Sequence, residues 1–117
     1  PPLPPEHLAD VPWPPEWRVA EADRYRGERG EVEWVLLEAD AAEPAAAVAR
    51  VLDLLASAYG EDELRSLTEG RGPAPKAVGQ MRAGRVAAVA EGERRDGLTI
   101  VRVTIQVDVP PSPATTP

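Results

Sequence analysis

The chain has 117 residues, enough for one domain built on a single modest core. It contains no cysteine, which excludes disulfides, a thiolate nucleophile and a cysteine-based zinc site. Its net charge of −7 argues against a general nucleic-acid binder, because phosphate contacts need basic surface.

The 14 prolines are concentrated at the two ends. Residues 1 to 15, PPLPPEHLADVPWPP, form a proline-rich lead-in of the stiff-linker type, with Val11 and Trp13 placed to dock on the domain edge. Residues 110 to 117 form a proline- and threonine-rich tail with disordered character. A single α+β domain is expected between them, over 16 to 109. The chain starts at Pro1 rather than Met, as a processed or excised segment does, so a membrane tether upstream is compatible with it. No apolar run reaches the roughly 18 residues of a spanning helix.

Glu16 to Arg26, starting at Trp17 and Val19, predicts a first strand. Arg26-Gly27-Glu28-Arg29-Gly30 predicts a turn, because two glycines permit positive φ. The run 31 to 38 alternates and predicts a second strand, with Val32, Trp34 and Leu36 on the buried face and Glu31 and Glu33 on the solvated one. Asp40 and Glu43 are spaced as in a capping box ahead of Pro44. The helix that follows carries Val48, Val51, Leu52, Leu55 and Tyr59 on one stripe and stops at Gly60.

Glu61 to Leu67 predicts a further short turn of helix, and Thr68 to Gly79 a loop rich in glycine and proline. A third strand is expected over Gln80 to Glu93, with alanines that permit close approach of a helix. Asp96-Gly97 predicts a tight hairpin turn. The clearest signal comes last. Val101, Val103, Ile105, Val107 and Val109 alternate with Arg102, Thr104, Gln106 and Asp108, so this strand has one apolar face and one that meets water or a partner. The expected architecture is therefore ββαββ, a four-stranded antiparallel sheet with one main helix on one face.

Signals for chemistry are sparse. His7, the only histidine, has no serine or second histidine nearby, so no catalytic triad or histidine metal site is expected. Glu61-Asp62-Glu63 lacks the ligand spacing of a calcium loop. The stretch from 71 to 85 holds Arg71, Lys76, Arg82 and Arg85 and no acid, which makes it the candidate site for an anionic partner. Trp13, flanked by prolines, is the candidate exposed aromatic. No catalytic residue, metal or cofactor is expected.

Asp10-Val11-Pro12-Trp13-Pro14, the helix from Asp40 to Tyr59 and the hairpin from Arg85 to Val107 resemble small bacterial cell-envelope lipoprotein domains of ββαββ order. Those domains usually have an aromatic pair in the helix and a Gly-Trp after it; this chain has Leu54-Leu55 and Tyr59-Gly60-Glu61 there. The resemblance implies a non-enzymatic, extracytoplasmic module of the periplasm or cell envelope. The expected function is a structural or protein-interaction module with a protein partner. Binding of a small anionic ligand or substrate by the basic 68–85 loop is the alternative.

Overall fold

The computed structural model describes residues 8–28, 30–40, 42–60, 64–70, 76–83 and 86–108. A short 3-10 turn, Leu8–Asp10, precedes strands β1 (Trp17–Gly27) and β2 (Gly30–Asp40). Helix α1 (Pro44–Tyr59) follows, then strands β3 (Leu64–Gly70), β4 (Lys76–Ala83), β5 (Val86–Arg95) and β6 (Leu98–Asp108). All six strands form one antiparallel sheet in the order β1-β2-β6-β5-β4-β3. The β1–β2 hairpin hands the chain to α1, which carries it to the far edge. A four-strand meander then returns to set β6 against β2.

The α+β class and antiparallel pairing are as expected, but the sheet has six strands rather than four. Two segments account for the difference. Leu64 to Leu67 has leucines three apart, a helical spacing, yet it forms the edge strand β3. The expected third strand is two strands, and β4 starts at Lys76, inside the expected loop. β4 was hidden because its core-facing residues include Ala77 and Gly79, both poor strand formers. The helix needs them small: a Cβ built on Gly79 would stand 2.6 Å from Val48 Cγ1 and 2.8 Å from Leu52 Cδ1.

The helix stripe is as the periodicity indicates. Val48, Val51, Leu52 and Leu55 are buried, and α1 lies mainly across β4 and β5. Its floor is made of small residues: Ala77 and Gly79 on β4, Ala88, Ala90 and Gly92 on β5. Pro44 opens the helix and Gly60 closes it with φ 114°, its N–H donating to Ala56 O at 2.9 Å. The capping box does not form. Glu43 is the N-cap without a side-chain bond, and Asp40 ends β2. The linker is instead anchored at Ala42 O, which accepts bonds from Arg94 Nη1 at 3.1 Å and from the hydroxyl of the buried Thr99. Asp96 and Gly97 both have positive φ, 53° and 78°, the type I′ geometry of the expected hairpin turn.

The other half of the same core is covered by the segment before β1. Leu8 and Val11 belong to the core cluster, and Trp13 packs against it with its indole Nε1 donating to Leu8 O at 3.1 Å. Trp13 is thus half-buried on the helix side of the sheet, and not an exposed aromatic.

β2 turns the opposite way from its sequence expectation. Val35, Leu37 and Ala39 are its buried residues, and Glu33 shares their face. Both alternate sets of this strand are apolar, so periodicity alone does not choose between them. Pairing with β6 does: Val35 lies opposite Val103 and Leu37 opposite Val101, and opposed residues share a face.

Candidate functional site on the open sheet face

No described helix or strand packs on the face opposite α1. Alternation from the buried positions assigns to it Val32, Trp34, Leu36 and Glu38 of β2, and Ile100, Arg102, Thr104 and Gln106 of β6. From β5 come Ala87, Val89, Glu91 and Glu93, and from β4 come Lys76, Val78, Gln80 and Arg82. Val32, Trp34, Leu36, Ile100 and Val89 are only half-buried there. The Arg102 guanidinium stands over the Trp34 ring, 5.1 Å from its centroid, within the range of a cation–π contact.

A groove of ≈ 360 Å³ crosses this face, lined by Leu36, Val78 and Ile100 together with Lys76, Glu91, Glu93, Arg95 and Arg102. Glu93 pairs with Arg95, and Arg18 with Glu38 further along the same face. Lys76, at the start of β4, reaches this groove because register places it opposite Glu93.

Lys76 and Arg82, the sequence-predicted cations among the described residues, do not converge. Lys76 lies in the groove, but Arg82 is six residues along β4, about 20 Å away at the strand rise. It lines a separate shallow depression of ≈ 190 Å³ with Ser66, Gln80 and Val89. Arg71 and Arg85 lie outside the described residues, and Trp13 is on the other side of the sheet. The groove's other basic groups, Arg95 and Arg102, were not among the candidates. Arg102 had a usable signal, since strand alternation placed it on the outer face of β6.

On the helix side, Glu33 accepts a hydrogen bond from the Leu8 N–H at 2.7 Å. Burial, with the nearby Glu33 charge adding to it, pushes the Tyr59 phenol up to about 12. Tyr59 is therefore protonated at neutral pH and does not supply a phenolate base. Because the folded value is raised from 10.0 to about 12, the folded state holds this proton more tightly than the unfolded chain. Its contribution is complete below pH 10 and is lost as pH rises through about 12. Absorbance titration at phenolate wavelengths is expected to show a component with a midpoint near 12 that Tyr59→Phe removes. Tyr59→Phe is also expected to flatten the loss of melting temperature above pH 10.

Among the described residues, no helix is long and apolar enough to cross a membrane. No protein-family model, curated protein or solved structure matches the chain.

Proposed function

We propose that this protein is a non-catalytic interaction module, extracytoplasmic in setting, that binds a protein partner through the open face of its sheet. The observation that carries the proposal is the row of half-buried apolar residues, Trp34, Leu36 and Ile100, on a face that no described element covers. The surrounding composition supports a protein partner. Aromatic and arginine side chains dominate interface hot spots, and Trp34 under Arg102 joins the two in one contact. Both signs of charge line the groove, with Lys76, Arg95 and Arg102 facing Glu91 and Glu93, which suits a polypeptide surface better than a simple anion. The extracytoplasmic setting rests on the resemblance of the proline-rich entry, the helix and the last hairpin to cell-envelope domains.

The test places a photo-crosslinking residue at Leu36 and, separately, at the exposed helix position Ser57. The proposal expects a discrete crosslinked partner from Leu36 and none from Ser57. Trp34→Ala combined with Arg102→Ala is expected to weaken purified partner binding by about 30-fold, the effect of a hot spot worth about 2 kcal/mol. Equal crosslinking from both positions, or unchanged affinity in a folded double variant, would overturn it.

A further inference from the structure

We infer that the outer edge of β3 is a pairing edge for a second copy of this chain, which would extend the sheet across a two-fold axis at Leu67. The sheet has two edges, β1 and β3, and their sequences treat self-pairing in opposite ways. In an antiparallel self-pair across an axis normal to the sheet, residues equally far from the centre face each other. Along β1, centring on Glu21, Asp23, Arg24 or Arg26 sets that residue against its own copy. Centring on Ala22 sets Glu21 against Asp23, and centring on Tyr25 sets Arg24 against Arg26. Each of these registers therefore opposes like charges. Registers centred on Val19 or Ala20 oppose no like charges, but they fall on the irregularity between Val19 and Glu21, which disrupts this edge.

β3 has the opposite character. Centred on Leu67, Arg65 faces Glu69 of the second copy, Ser66 faces Thr68, and all seven residues find a partner. Centring on Arg65 or Glu69 opposes like charges, and centring on Ser66 or Thr68 leaves the two charged residues unmatched. Residues 65 to 70 are exposed, and Leu67, 39% exposed, would meet its own copy at the axis. Arg65 is already held toward the helix side, with Nη1 2.7 Å from Asp53 Oδ1 and Nη2 donating to Ala49 O at 3.1 Å. Alternation puts Glu69 on that same side, so a planar guanidinium can bridge Asp53 and the incoming carboxylate. The helices do not obstruct the pairing. With α1 centred over β4 and β5, the two copies stand roughly four strand spacings apart, about 19 Å.

The experiment is sedimentation velocity on the full chain over a concentration series. The wild type is expected to show a reversible monomer–dimer equilibrium. Glu69→Arg and Arg65→Glu, each checked for an unchanged fold by circular dichroism, are each expected to raise the dissociation constant about tenfold or more. Mixing the two variants restores opposite charges at both symmetry-related positions, so the mixture is expected to dimerise where neither variant alone does. A monomer throughout the series, a dimer indifferent to both reversals, or a mixture that stays monomeric would each overturn the inference.

Discussion

Gly79→Ala is expected to destabilise the domain by about 1–3 kcal/mol, the range for forcing extra atoms into a packed core. At an open strand position the same change stabilises by roughly 0.5–1 kcal/mol, because glycine loses more backbone freedom on folding. Crowding wins here because the added Cβ would meet Val48 Cγ1 at 2.6 Å and Leu52 Cδ1 at 2.8 Å. Neither neighbour has room to retreat: both are fully buried, and a helical valine has one strongly preferred rotamer. The melting temperature is expected to fall by about 4–8 °C for each kcal/mol in a domain of this size. Gly79→Val is expected to cost more. Val48→Ala in the Gly79→Ala background is expected to recover part of the loss, although Val48→Ala alone destabilises. That non-additivity in a double-mutant cycle is the specific signature of the contact. Additive losses would mean that α1 tolerates a side chain at Gly79 by moving as a body.

The same contact explains what was and was not legible in the sequence. β6 could be read because its apolar residues alternate without interruption, and α1 because its stripe keeps a 3.6-residue period. Both owe their pattern to their own burial. β4 owes its pattern to the helix above it, which demands small residues where a strand ordinarily carries branched ones. Ala77 and Gly79 therefore look like loop residues until the helix is in place. β3 is exposed along its described side chains, so no burial imprinted an alternation on it. β2 has apolar residues on both faces, and only its pairing with β6 decides that Leu37 points inward and Leu36 outward.

The candidate site inherits that ambiguity. Trp34 and Leu36 belong to the open face but carry the composition of core residues. Within the basic stretch from 71 to 85 the described residues form one extended strand, β4, whose rise carries Arg82 about 20 Å from Lys76, so closeness in sequence did not become closeness in space. Lys76 instead shares its groove with Arg95 and Arg102, which lie on β5 and β6 and are remote from it in sequence.

Leu8→Ala is expected to destabilise by about 2–5 kcal/mol, as for other leucines removed from a closed core. Leu8 is 0% exposed and Val11 3%, and both lie in one cluster with Val35, Leu37 and Val103. Together their burial is worth roughly 3–6 kcal/mol, a large share of the 5–15 kcal/mol that holds a typical domain folded. Four hydrogen bonds fix the segment around them: Leu8 N–H to Glu33, Val11 N–H to Leu8 O, Trp13 N–H to Val11 O, and Trp13 Nε1 to Leu8 O. The measurement is urea unfolding of Leu8→Ala beside Ala46→Gly, which probes an exposed helix position and should cost only about 1 kcal/mol. A Leu8→Ala loss below that control would show that the segment rests on the sheet without stabilising it. The expected result bears on how partner binding is tested. A chain shortened to begin at Trp17 would lose the cover over Val35 and Leu37, so loss of binding would report unfolding rather than a missing contact. Substitutions on the open face leave that cover intact. Binding lost in Trp34→Ala with Arg102→Ala, at an unchanged urea midpoint, would therefore assign recognition to the face itself.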